Sequence, residues 1–370
     1  MVLGGFMSRK FISSLLAMAT LATPAFAAGI ERNAPTTRIL FEEGRVLEFS
    51  FSSVSPDLSG SGGTVPPALG GPTPAAPNGT GDLFSSYATW GFAYKADINE
   101  RLSYAVILSD PWGVDTSYPT VTGSVYSGVV AELDSRELTG ILAYDVNDRV
   151  KVYGGLRIQQ IQAQASIPFV AGYTIATDKQ TDLGYMFGAA YQIPDIALRV
   201  ALTYYSAIEH DLNSLEFGAF NTITTVETPQ AVNLEFQTGI AEDTLLFGSV
   251  RWVDWSEFAI RPPNYPLVTL VDYEKDWTTY TLGVGRRFSE TWSGAVQISY
   301  EPPTGSLPLT TLGPVDGRTS IGLGATYTMD NVKITGGVTY VDLGNTANLV
   351  NTTYDGGDAI GFGLRIGYSF

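Results

Sequence analysis

The sequence predicts an all-β protein, a transmembrane antiparallel β-barrel of about 14 strands preceded by a short N-terminal plug-like segment. Three observations carry that prediction. An export signal stands at the start, and a strand with a terminal aromatic stands at the end. Between them runs a series of period-two strands, joined alternately by tight turns and long segments.

The export signal occupies residues 1–27 and is set aside before any fold reasoning. Met7-Ser8-Arg9-Lys10 is a short basic start, Phe11 to Ala22 is mostly apolar, and Ala25-Phe26-Ala27 has the small-x-small pattern of a cleavage site. Nothing in Met1 to Phe6 resembles part of a signal, which makes Met7 a candidate initiator. The apolar run falls short of the roughly 20 residues that an anchor needs. The mature chain is therefore expected to start at Ala28, an uncleaved anchor being the competing reading. At the other end, Phe362, Leu364, Ile366, Tyr368 and Phe370 fall on one face of a strand, with small or polar residues opposite. Such a strand resembles the assembly signal of outer-membrane barrels, which makes the assembly machinery of the outer membrane an expected partner.

Composition narrows the classes. There are no cysteines, so neither a disulfide framework nor thiol chemistry is available. Glycine at 40 of 370 residues and aromatics at 12% fit barrel strands with aromatic girdles at both membrane interfaces. Of the 21 Lys and Arg, two leave with the signal, so 19 basic residues face 37 acidic ones, a net charge of −18. That surface repels nucleic acid and anionic partners. No run of 18 apolar residues follows the signal, which excludes helical spans.

The alternation is clear in several strands. Tyr280, Leu282 and Val284 oppose Thr279, Thr281 and Gly283; Ile321, Leu323, Ala325 and Tyr327 oppose Ser320, Gly322, Gly324 and Thr326; Leu198, Val200, Leu202 and Tyr204 oppose Arg199 and Thr203. One face suits lipid and the other a lumen. The stretch Thr244–Val253 alternates least cleanly. Tight polar turns are expected at Asn99-Glu100, Asn147-Asp148, Pro194-Asp195, Glu242-Asp243, Ser289-Glu290 and Asp330-Asn331. Long segments at 55–84, 111–130, 162–181, 206–228, 255–275, 302–317 and 343–357 alternate with them, which is the sorting of loop lengths found in outer-membrane barrels. The domain division that follows is 28–40 for the plug-like segment and 41–370 for the barrel.

Several runs resemble the FadL/TodX family of outer-membrane fatty acid and hydrocarbon transporters. They are the runs from Leu202 to Asp211, Thr228 to Leu234, Val250 to Phe258, Arg286 to Trp292 and Tyr300 to Pro303, with Asp110-Pro111-Trp112-Gly113-Val114 earlier. Together they keep the family's order over roughly residues 45–370. The resemblance implies a barrel in the outer membrane of a Gram-negative bacterium, set among its lipids. It also implies passive transport of hydrophobic molecules, long-chain fatty acids foremost, with lateral release through a kinked strand. Asp110, Pro111, Trp112, Gly113 and Val114 are the candidate kink: Pro removes a ladder donor, and Gly in a strand marks a bulge or close approach. The alternative is that the strand simply ends there at the membrane interface. The family's longer plug carries Asn-Pro-Ala, whereas this chain reads Asn33-Ala34-Pro35, so the plug motif does not carry over and a truncated plug is expected.

No enzyme is expected, and no cofactor or metal. His210 is the only histidine, which leaves little support for a metal cluster or a Ser-His-Asp triad, and Glu209-His210-Asp211 reads as a solvated rim. No Gly-Lys-Ser/Thr phosphate loop is present. Asp254 and Glu257 beside Trp255 read as polar groups around a girdle. A general diffusion porin is the main competitor, and an outer-membrane lipid hydrolase the lesser one. Porins carry lumenal charge rings, and here only Arg157, Arg199 and Lys333 stand out at inward positions.

Overall fold

The fold was analysed in a computed structural model that describes residues 30–305, 310–348 and 350–370. The signal peptide expected at 1–27 lies outside those residues. Fourteen strands close into one antiparallel barrel. They are β1 (Val46–Asp57), β2 (Tyr87–Asp97), β3 in two pieces (Leu102–Ser109 and Gly113–Ser117), β4 (Val130–Asn147) and β5 (Val150–Ile167). Next come β6 (Tyr173–Thr177 and Gln180–Ile193), β7 (Leu198–Tyr205 and Ile208–Glu216) and β8 (Phe220–Thr228 and Ala231–Ala241). The wall continues with β9 (Thr244–Val253), β10 (Trp277–Arg287), β11 (Trp292–Glu301), β12 (Arg318–Met329), β13 (Val332–Leu343) and β14 (Asp358–Ser369). Closure is made by β1 against β14, in register from Val46↔Ser369 to Asp57↔Asp358. Closure leaves neither β1 nor β14 as an open edge strand, as a lipid environment demands.

Period two does the sorting. Leu156, Leu183, Leu202, Leu282, Ile298, Leu323 and Phe362 point outward and are exposed, Leu183 at 69%. In soluble protein that belt would be an aggregation surface, and in a bilayer it is the solvated face. Aromatic pairs flank the belt: Trp292 with Tyr327 (5.0 Å) near the tight turns, and Phe187 with Tyr204 (5.2 Å) toward the other end. All six tight turns join consecutive strands at one end of the barrel. Their chemistry is local. Asn99 Oδ1 accepts the N–H groups of Arg101 and Leu102, and Asn147 Oδ1 those of Arg149 and Val150, at 2.9–3.0 Å. Asp243 and Asp330 take the left-handed φ (54° and 49°) that Asp tolerates in such turns.

At the opposite end the expectation of long loops needs correction. The 206–228 stretch is strand: Ile208–Glu216 pairs with Phe220–Thr228 around a turn at Phe217-Gly218-Ala219. Likewise, the 162–181 stretch is taken up by β5 as far as Ile167 and by the first piece of β6. The inward faces of these extensions mix His, Ser and Glu with Ile and Leu, so their alternation does not show in hydropathy. The true loops form a cap. A small sheet of Gly60–Val65, Thr73–Ala76, Thr346–Ala347 and Thr352–Tyr354 is tied to segment 118–129 through Tyr118–Tyr354 (2.9 Å) and Tyr126–Thr352 (2.7 Å).

Candidate functional site

The candidate kink is a break in the wall. The lower piece of β3 pairs with β2 from Asp97↔Ser103 to Phe92↔Leu108, and no ladder pair continues to Gly91 or Trp90. Contact resumes only above, where Phe84 bridges to Thr116. Between these points Asp110-Pro111-Trp112 leaves the ladder. The Asp110 carboxylate accepts the Trp90 N–H (3.3 Å) and the Arg136 Nε–H (3.2 Å). Trp112 turns inward and is 2% exposed, its backbone held by Ser135 Oγ at 2.8 Å. The strand thus breaks and resumes, rather than ending at an interface.

What fills the inner side of the break is the N-terminal segment, from Ile30 to the 3₁₀ turn Arg38–Phe41, which runs inside the barrel. Ile30 O accepts the Gly113 N–H (2.7 Å), and Pro111 O accepts the N–H groups of Arg32 (2.8 Å) and Asn33 (3.2 Å). Arg32 pairs with Asp115 and lies so close over Gly113 that a Cβ there would collide with its guanidinium. A side chain at Gly113 would therefore require the Arg32 side chain to move. Pro35 O accepts Asn233 Nδ2–H at 2.9 Å, and Glu31 pairs with Arg251, both buried.

Two cavities flank this segment. The outer one, about 50 Å³, is lined by apolar residues, among them Ile30, Val114, Leu133, Ile161, Leu212, Val226 and Tyr273. The inner one is about 260 Å³, and its lining crosses the wall at the break. Lumenal Ile107, Ser109, Ile141 and Met186 share it with Phe51, Trp90, Phe92 and Leu108 of the outward face. Segment 255–275 roofs the outer cavity. It is not a girdle: Trp255 is 1% exposed and stacks edge-on with Trp112 (5.6 Å), Tyr273 (5.2 Å) and Trp277 (5.8 Å). The Nε1–H groups of Trp112 and Trp277 are buried without a hydrogen-bond partner. Burial pushes the Tyr273 hydroxyl up and the Tyr265 hydroxyl up to about 12, so both remain protonated donors. Buried Glu216, at the tip of β7, pins this roof by accepting the Asn264 N–H at 3.0 Å.

Toward the tight turns the lumen is polar, more so than Arg157, Arg199 and Lys333 had indicated. Those three do face inward, and they are joined there by Lys95, Lys151 and Arg365, while Arg251 and Arg318 face inward nearer the other end. Arg157 pairs with Glu137 (2.8 Å), Arg38 with Glu48, Arg365 with Glu48 (3.2 Å) and Lys333 with Glu42 (3.4 Å). Arg365 was accessible from the alternation of the last strand, since it opposes Leu364 and Ile366. The irregular β9 hid Arg251. His210 corrects another expectation: it is buried, with Nδ1 2.8 Å from Asp182 and Nε2 3.0 Å from Gln159 Oε1, so its second nitrogen meets an amide, not a nucleophilic hydroxyl. Among the described residues no group of three His, Cys, Asp or Glu is placed to hold a metal. Phe362, Leu364, Ile366, Tyr368 and Phe370 all lie on the lipid face, and the Phe370 N–H bonds to Arg45 O (2.9 Å).

A 14-strand barrel with a lipid belt, an apolar outer chamber and a break in its wall is an outer-membrane channel for hydrophobic molecules. The chain matches the outer membrane protein transport family (OMPP1/FadL/TodX) over residues 16–366, and it belongs to that family. Solved structures share the fold at low identity. A Pseudomonas aeruginosa FadL homologue aligns with TM-score 0.75 and 16% identity over 91% of this chain and 93% of its own. The Pseudomonas putida toluene transporter TodX aligns at 0.65 and 12% over 96% and 97%. The Ralstonia pickettii toluene transporter TbuX aligns at 0.62 and 13% over 94% and 97%. No curated protein matches the chain in sequence.

Proposed function

We propose that this channel takes up long-chain fatty acids and releases them sideways into the outer membrane through the break at Asp110–Val114, with the N-terminal segment as its plug. The observation that carries this reading is the inner cavity, whose lining passes from lumenal Ile107 and Ser109 to lipid-facing Trp90 and Leu108. Ion pairs floor it and fill the lumen beneath: Arg38, Arg365 and Glu48 line the cavity themselves. A chain of ten methylenes returned to water would forfeit about 8 kcal/mol of transfer free energy, and the sideways route avoids that cost. Uncoupling the buried pairs to clear a downward path is costly as well, because each would leave a charge unpartnered.

A side chain at Gly113 would drive Arg32 off Asp115, so the cleaner probe is Ser109, on the lip of the cavity. Ser109→Trp should fill that lip and cut uptake of radiolabelled oleate severalfold, with barrel amount and heat-modifiable gel migration unchanged. Normal oleate uptake by a well-folded variant would move the exit elsewhere. Toluene uptake that persists where oleate uptake is absent in the parent protein would assign a monoaromatic ligand instead, the cargo named for TodX and TbuX.

A further inference from the structure

The ladder of the wall has a second interruption, between β6 and β7, where the two strands remain side by side. The two strands pair from Ile193↔Leu198 up to Met186↔Tyr205, and again higher at Thr177↔Ser214, in the same register. Between these ladders residues 179–184 face 207–212 with no ladder pair. The cause lies in staggered phase slips. On β7 both Tyr205 and Ile208 are buried, so its alternation skips a step at Ser206-Ala207. On β6 the skip falls later, at the exposed pair Asp178-Lys179 between the inward Thr177 and Gln180. β8 makes its own skip at Pro229-Gln230, level with that of β7, and so the β7–β8 ladder survives. Where β6 and β7 are out of phase, an inward residue would oppose an outward one, and regular pairing is impossible.

Side chains occupy the opening. Ile208 lies against Gly184, where an added Cβ would come within 2.6 Å of its Cγ1. Above it Asp182, 28% exposed, reaches buried His210 at 2.8 Å. The lipid-side rim carries Lys179, Glu209 and Asp211, all exposed, directly above the aromatic pair Tyr185 and Tyr204. Charges above an aromatic belt set this opening at headgroup depth, where backbone groups outside a ladder are tolerated. On the lumenal side lie Leu212, Val226 and Ile161, which line the apolar outer chamber.

We infer that this window is a second lateral port, admitting long apolar molecules already dissolved in the outer leaflet directly to the outer chamber. This rests on the transport reading above and adds its point of admission. Such a ligand reaches the chamber without crossing the loop cap. Ile208 is the gate and the Asp182–His210 bridge is its clasp.

Because the chain has no cysteine, Asp182→Cys with His210→Cys can be joined across the window by a short bis-methanethiosulfonate reagent and released by reductant. The control is Thr326→Cys with Thr335→Cys, whose hydroxyls are 2.8 Å apart across the intact β12–β13 ladder. Bridging the window should cut the rate of radiolabelled oleate uptake severalfold and reduction should restore it, while the control bridge leaves the rate unchanged. Ile208→Ala, checked for folding by heat-modifiable migration, should raise the rate. Uptake indifferent to the window bridge, equal loss in the control, or no gain in Ile208→Ala would overturn the port and leave the transport reading standing. No oleate uptake even by the unbridged protein would overturn that reading, and the port with it.

Discussion

Glu31 and Arg251 hold the N-terminal segment to the wall across 220 positions of sequence, both side chains less than one-tenth exposed. A buried pair of this kind gains little net stability, but removing one partner leaves the other charged and desolvated, at a cost of about 3–5 kcal/mol. In Glu31→Ala, Arg251 keeps a bond to Asn233 Oδ1 at 2.6 Å and loses its counter-ion. The relief open to it is hydration, which loosens the segment's hold on the wall beside the inner cavity that Arg251 lines. The long ladders between wall strands do not involve Glu31; the segment's own backbone bonds to β3, at Pro111, Trp112 and Gly113, are what its departure would break. Single-channel conductance in planar bilayers should therefore rise from near closure in the parent to frequent openings in Glu31→Ala. Conductance equal to the parent's would mean that Pro35, bound to Asn233, or Arg38, paired with Glu48, holds the segment without Glu31.

At the scale of elements, β14 shows what pattern alone determines. Phe362, Leu364, Ile366, Tyr368 and Phe370 alternate without interruption, and their outward placement follows from the pleat. The same strand closes the barrel on β1. Truncating its terminal aromatic, Phe370→Ala, removes the ring that stacks on Tyr368 at 4.8 Å and the last feature of the expected assembly signal. Folded barrel, read as heat-modifiable migration, should fall while exported but unassembled chain accumulates. Unchanged yield would make Phe370 dispensable. Strands such as β14 and turns such as Asn147-Asp148 were legible in the sequence because the physics is local: period two for faces, Asx chemistry for turns. The break was legible too, as Pro and Gly two apart in a strand. Its tenant was not, since nothing in Asn33-Ala34-Pro35 tells which wall residues it meets. Trp255 and His210 were misread for a related reason. Each is buried by a distant segment folding over or under it, Trp255 by Trp112 and His210 by Gln159 and Asp182. Hydropathy of neighbours carries no trace of that.

For the whole molecule, the two ends differ in kind, and the difference fixes an orientation. One end has six turns of a few residues, those at Asn99, Asn147 and Ser289 capped by their own side chains. The other carries the extended β7–β8 hairpin, the roof at 255–275 and the knitted cap of Tyr118, Tyr126 and Tyr354. The apolar chamber and both interruptions of the wall lie toward this second end, where a ligand arriving from outside the cell would meet them. Short turns face the periplasm in barrels of this architecture, and the longer structures face out. An epitope inserted at Phe217-Gly218-Ala219, the exposed hairpin tip where Gly218 already has φ 64°, should thus bind antibody on intact cells. The same epitope between Asn147 and Asp148 should bind only after the outer membrane is permeabilised. Both insertions fall at turns that the ladders do not cross, so heat-modifiable migration should stay normal in each and serve as the check on folding. Surface labelling at Asn147-Asp148 would reverse the barrel, put the apolar chamber on the periplasmic side, and make outward export the direction to test.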